Sequence, residues 1–150
     1  KKWFSEKIPV DNNSLFESPL KIQSQIKINE YMDSFKDSNF KNSANAIIDL
    51  ANSSNIYLND RAPWKLIKDI SNQEVVAQDI YSVLESCRII GILLNPLVPD
   101  LSIRILSQLK IDYTKISFKS SLIWGLLDPC NGLHSPTPVM NKIEYKEDDN

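Results

Sequence analysis

The stretch "NIYLNDRAPWKL", residues 55 to 66, gathers most of the side chains in this sequence that could engage a ligand. Trp64 offers a flat π surface, and Asn55 and Asn59 each carry a donor and an acceptor in one amide. Arg61 carries a guanidinium that can meet a phosphate. Together these types suit a planar, hydrogen-bonding, anionic partner. The same residues also suit a packing corner, because a tryptophan directly after a proline at a helix break is a core wedge more often than a platform. In that reading Asn55 caps a helix end and Tyr57 is structural. Residue type and spacing leave both readings open.

Other site chemistry is missing. The three glycines are isolated and cannot build a phosphate loop. The single histidine, His134, permits no metal-binding pair and no Ser/His/Asp set; in its Pro- and Gly-rich surroundings it reads as solvated or capping. The acidic residues read as scattered over exposed faces, so paired general acid–base work is not expected, and these residues alone are expected to lack catalytic activity. Cys87 and Cys130 form no CxxC and neither a disulfide framework nor a zinc pattern, which favours a reduced, intracellular setting. Cys87 falls on an apolar helical stripe and reads as a small core residue. The N-x-S matches at Asn12 and Asn52 carry little weight without a secretory signal.

The elements that must position the 55–66 stretch are helical. A chain of 150 residues with 42% apolar and 24% charged residues fits one globular domain over 1–150. Its net charge of -2 advertises no field for nucleic-acid backbones. No run approaches the roughly 18 apolar residues of a membrane span, and "KKWFSEKIPV" is not a signal peptide. That opening reads as the tail of an element begun earlier, so the chain is expected to be a fragment. Residues 5 to 18 read as a loop, after which Ser18-Pro19 offers an N-cap and a first-turn proline. Ile28, Tyr31, Met32 and Phe35 then mark one helix face, and Ala44, Ile47, Ile48 and Ala51 a second. Val76, Ile80, Val83, Cys87, Ile90 and Leu94, widened by Leu84, predict a long helix with one strongly buried face. Pro96 and Pro99 end it, and Leu101, Ile105 and Leu109 mark another. "IDYTKISF" suits a short strand or an extended connection. The Pro-rich remainder is expected to wrap the core, with Trp124 anchoring it and Trp3 also packing. The fold class is all-α, a bundle of four to five helices with an extended C-terminal tail.

Three segments in order resemble the C-terminal anticodon-binding domain of methionyl-tRNA synthetase, a class I aminoacyl-tRNA synthetase. They are "ANSSNIYLNDRAPWKLIKD", "GILLNPLVPDLSIRILSQLKI" and "WGLLDPCNGLHSPTPVMNKIE". "KKWFSEKIP" is also similar to the end of that domain's first helix. The resemblance implies a helical bundle docking the anticodon loop of methionine tRNA, with Trp64 stacking on an anticodon base and Pro63 beside it. Asn55 and Asn59 are then candidate base readers and Arg61 a candidate phosphate contact, in keeping with how proteins read unstacked RNA bases. The asparagine and arginine that the family places on its first helix would precede residue 1. "VMNKIE" departs from the family's common "LFxxIE", which bears on packing. The resemblance further implies a cytoplasmic ligase whose catalytic part uses ATP, with zinc a further candidate, while this chain holds no cofactor. The implied partners are tRNA(Met) and the catalytic domain of the same polypeptide, with no membrane and no DNA. A helical protein-interaction module and the equivalent domain of another class I synthetase are the alternatives.

Overall fold

The computed structural model describes residues 3–5, 7–9, 17–129 and 132–140; Cys130, Asn12 within the turn-rich stretch and the acidic terminus from residue 141 lie outside the described residues. Helix boundaries follow local chemistry. The Ser18 hydroxyl accepts from the Leu20 N–H and Pro19 supplies the first turn, so α1 (Pro19–Lys36) begins there. Ser38, at φ 57°, reverses the chain. The Asn39 side chain then accepts from the Asn42 N–H and caps α2 (Phe40–Arg61). A one-turn α3 (Pro63–Leu66) and a 3-10 turn lead into α4 (Gln73–Leu94), and Pro99 opens α5 (Pro99–Gln108). Among the described residues no strand forms, only an isolated antiparallel bridge between Lys7 and Gly132. The all-α bundle is as expected, and no described helix is long and apolar enough to cross a membrane.

The axis of the bundle is α4. Its Ile89, Ile92 and Leu93 meet Ile28 and Tyr31 of α1 and Ala46, Ile47 and Leu50 of α2, while its Tyr81 joins Ile8, Leu109 and Leu127 in a second cluster. Enclosed in this way, α4 has no single buried face, which corrects the expected stripe. Val76 and Ile90 are buried, but Ile80, Val83, Cys87 and Leu94 are only partly so, and Gln78, Asp79, Ser82, Glu85, Ser86 and Arg88 are buried with them. The buried Asp79 and Glu85 also overturn the expectation that acidic residues lie on exposed faces. The stripe expected on α2 is displaced too. Ile47 is buried, but Ile48 is 55% exposed, and the seam is made by Ser43, Ala46, Leu50 and Ser54. Small side chains let α1 approach closely, and the two serines satisfy their hydroxyls on the carbonyls of Asn39 and Leu50, four residues back. Cys87 packs beside the second cluster, where burial pushes its thiol pKa up, as suits a packing residue. Trp3, expected to pack, is instead 39% exposed.

Past α5 the chain is neither strand nor simple extension. Asp112 accepts from the backbone N–H and hydroxyl of Thr114 and nucleates a 3-10 turn over Tyr113–Lys115. Beyond it the tail is clamped by a buried ion pair on α4. Glu85 and Arg88 pair through two bonds, Nε to Oε2 at 2.9 Å and Nη2 to Oε1 at 2.6 Å. The Arg88 guanidinium also donates to the carbonyls of Ser121 and Ile123, and Glu85 accepts from the N–H groups of Gly125, Leu126 and Leu127. Gly125, at φ 92°, supplies the left-handed residue that turns three successive amides toward one carboxylate. Trp124 packs partly buried against the main core, as expected of the tail's anchor. Glu85→Ala should therefore lower the unfolding free energy by about 3–5 kcal/mol, because it strands a buried guanidinium. Denaturant midpoints measure the loss, and hydrogen exchange should show residues 121–127 losing protection first; a change below about 1 kcal/mol would mean that the clamp is not holding the tail.

Candidate nucleic-acid interface

The last two turns of α2 present two faces with different tasks. Tyr57 and Arg61, four residues apart, turn toward α4, whereas Asn55 and Asn59 are exposed. Asn52, also exposed, precedes them at helical spacing, and Ile56, 60% exposed, lies among them. Asn55 therefore caps no helix end; it lies inside α2, and Ala62 ends the helix instead.

Ala62 makes the corner. Pro63 disfavours the right-handed helical conformation at the residue before it, and Ala62 adopts φ 43°, ψ 55°, in the left-handed region. For an alanine this costs about 1–2 kcal/mol. The residue serves both helices: its N–H donates to the Leu58 carbonyl at 3.1 Å, and its carbonyl accepts from the Lys65 N–H at 2.8 Å. Pro63, lacking an N–H, starts α3 without leaving a donor unpaired.

The outcome is a strict division between neighbours. Pro63 is fully buried, and Trp64 is 43% exposed. Pro63, expected beside Trp64 in the site, is buried beneath it and fixes its direction. Lys65 and Lys68, both exposed, flank the indole in sequence. Sequence reasoning did not single out these two cations, although their spacing of one and four residues from Trp64 was visible. They add two cations beside the indole, while exposed Asp60 and Asp69 in the same stretch offset them, so the corner is of mixed charge.

Arg61 is not a free arginine. Its Nε donates to both carboxylate oxygens of Asp79, at 2.9 and 3.0 Å, and Tyr57 Oη donates to Asp79 Oδ1 at 2.6 Å. Asp79 is wholly buried, and the Arg61 side chain is 41% exposed. Among the described residues neither Nη1 nor Nη2 makes a hydrogen bond. Burial, then the bond to Asp79, raise the Tyr57 pKa and keep the phenol a neutral donor. The bond to Asp79 likewise raises Arg61, which stays charged. Asp79 is the residue that sequence reading missed. Its signal was a carboxylate set between Val76 and Tyr81 in a segment otherwise striped with apolar residues.

The arrangement offers a flat aromatic, two exposed amides and an oriented cation, and it carries no nucleophile or acid–base pair. Among the described residues no group of three or more His, Cys, Asp or Glu could hold a metal ion. The family profile described as the anticodon binding domain of methionyl tRNA ligase matches residues 11–150. The chain belongs to this family. A methionine–tRNA ligase from Synechocystis sp. is 34% identical over 139 residues, covering 85% of this chain and 26% of the ligase. A chloroplastic/mitochondrial methionine–tRNA ligase from Arabidopsis thaliana is 32% identical over 140 residues, covering 87% of this chain and 22% of the relative. The chain thus spans about a quarter of the length of the curated relatives it matches. The apo methionyl-tRNA synthetase of Mycobacterium tuberculosis superposes with a TM-score of 0.84 at 20% identity, over 97% of this chain and 29% of that one, which shows the fold.

Within this anticodon-binding family fold a sizeable cavity lies apart from the Trp64 corner. It measures about 620 Å³, runs between α1 and the tail, and is lined mainly by apolar residues such as Ile22, Ile26, Leu122 and Trp124. None of Asn55, Asn59, Arg61, Pro63 or Trp64 lines it. The two kinds of residue at the corner separate by stability. Trp64→Ala should change the unfolding free energy by about 1 kcal/mol or less. Arg61→Leu, which leaves buried Asp79 with Tyr57 alone, should cost about 3 kcal/mol or more. Paired denaturant curves test the ranking, and the reverse order would make Trp64 a core wedge.

Proposed function

We propose that this chain is the anticodon-recognising part of a methionine–tRNA ligase. The observation that carries the reading is the pairing at the corner, a fully buried Pro63 followed by a 43% exposed Trp64 on a fixed backbone. An indole held in this way has little conformational freedom left to lose when a base stacks on it. Trp64 stacks on a base of the anticodon loop of tRNA(Met). Asn55 and Asn59 offer amide edges to neighbouring bases, and the free edge of Arg61, with Lys65 and Lys68, meets the phosphates that flank them. In the whole enzyme methionine is activated with ATP and transferred to the tRNA in a catalytic part, for which zinc is a further candidate cofactor. The enzyme works in the cytoplasm. The local charge at the corner supplies orientation, and the net charge of -2 leaves most of the general attraction for tRNA to the rest of the polypeptide.

Trp64→Ala in the full-length ligase should weaken binding of a methionine anticodon stem-loop by about 1–3 kcal/mol, the value of one stacked base. The KM for tRNA(Met) should rise accordingly, with the unfolding midpoint as the control for folding. An unchanged KM would overturn the stacking role. A protein-docking role for the same face draws on Ile48 and Ile56, 55% and 60% exposed. It predicts equal binding of the cognate stem-loop and one with a scrambled loop, whereas base reading predicts preference for the cognate loop.

A further inference from the structure

We infer that Asp79, a buried carboxylate that faces no ligand, is a positioning residue that sets tRNA affinity through Arg61. The inference rests on the anticodon-docking reading above and adds a residue, on a different helix, on which that docking depends.

Three observations converge on Asp79. It is wholly buried on α4, yet both of its oxygens are engaged by residues of α2, Arg61 at 2.9 and 3.0 Å and Tyr57 at 2.6 Å. The two partners stand one helical turn apart, so one carboxylate pins the final turn of α2 onto α4. That turn immediately precedes Ala62, whose left-handed conformation persists only while its surroundings over-determine it. Burial of Pro63 holds the corner from the far side, and the Asp79 contacts hold it from the near side.

The geometry of the ion pair also carries direction. Arg61 uses Nε toward Asp79. A guanidinium is planar, so anchoring Nε fixes the plane and leaves Nη1 and Nη2 to present a rigid pair of donors. An unanchored arginine would carry the same charge but would have to lose side-chain freedom on meeting a phosphate. Asp79 removes that freedom before RNA arrives. Its effect on binding is therefore indirect, through one oriented donor edge and one constrained corner.

The test compares Asp79→Asn, Arg61→Gln, Arg61→Lys, Tyr57→Phe and the Asp79→Asn/Arg61→Gln double variant in the full-length ligase. Asp79→Asn should raise the KM for tRNA(Met) about tenfold, the scale of one weakened charge-assisted contact, with kcat changed far less. The slope of log affinity against log salt should become shallower by about 0.7, one single-strand phosphate contact, as it does in Arg61→Gln. The double variant should bind no worse than the weaker single one, since both remove the same contact. Tyr57→Phe, which keeps the ion pair, should lower the unfolding midpoint without moving the salt slope. Arg61→Lys retains the charge without the planar fork and should fold, yet show the raised KM and the shallower slope. If Asp79→Asn does not fold, this variant decides.

A wild-type salt slope in Asp79→Asn or in Arg61→Lys would overturn the positioning role. If Trp64→Ala loses tRNA binding while those variants do not, the positioning role fails and anticodon docking stands. If Trp64→Ala also binds as wild type, docking at this corner fails as well.

Discussion

Enclosing α4 on every side obliges each polar group on that helix to be answered by a partner, because an unpaired buried charge costs far more than a paired one gains. The serines answer themselves, Ser82 on the Gln78 carbonyl and Ser86 on the Ser82 carbonyl. The two carboxylates must look outward to other parts of the chain. Asp79 finds Tyr57 and Arg61 at the end of α2, and Glu85 finds Arg88 and three backbone amides of the tail. Electrostatic bookkeeping on one central helix thereby fixes the corner that bears Trp64 and the segment that closes the opposite flank of the core. The apolar residues of α4 make the bundle cohere, and its polar ones decide where the irregular segments lie.

That division explains which parts of the structure the sequence discloses. The start of α1 at Ser18-Pro19, the break between α1 and α2, and the corner at Pro63 all arise within a few residues of the signal, so local chemistry specifies them. The faces of α2 and α4 are less legible, since hydropathy scores serine as polar and cannot register that Ser43 and Ser54 form a close seam. Asp79 and Glu85 escape for a different reason. Apart from Arg88, three residues on from Glu85, their partners lie 18 to 42 residues away, and nothing in the spacing of a carboxylate announces an arginine or a row of amides at that range. At the candidate site residue types named Trp64, Asn55, Asn59 and Arg61, but only the fold shows that Pro63 is beneath the surface and that one edge of Arg61 is already occupied.

The corner also shows how a chain of net negative charge can present a site for an anion. Asp79 is neutralised in place by Arg61, so the buried carboxylate does not project repulsion toward the surface, while exposed Lys65 and Lys68 beside the indole balance exposed Asp60 and Asp69. Within about 10 Å, the screening distance at moderate salt, local arrangement matters more than the sum over the chain. Net charge is therefore a weak guide to what a small base-reading surface binds. The relevant quantities are the orientation of one guanidinium and the exposure of one aromatic ring.

Ala62 gives its N–H to the last turn of α2 and its carbonyl to the first turn of α3, so the two helices are joined with no slack between them. Trp64 thus inherits its bearing from the rotational phase of α2. One residue added or removed between Tyr57 and Ala62 would swing the indole by about 100° around the α2 axis. Side-chain exchanges on the outer face of α2 leave that phase untouched. The number of residues between Tyr57, anchored by Asp79, and the proline is therefore the fixed quantity, and change at this corner is confined to chemistry at constant length.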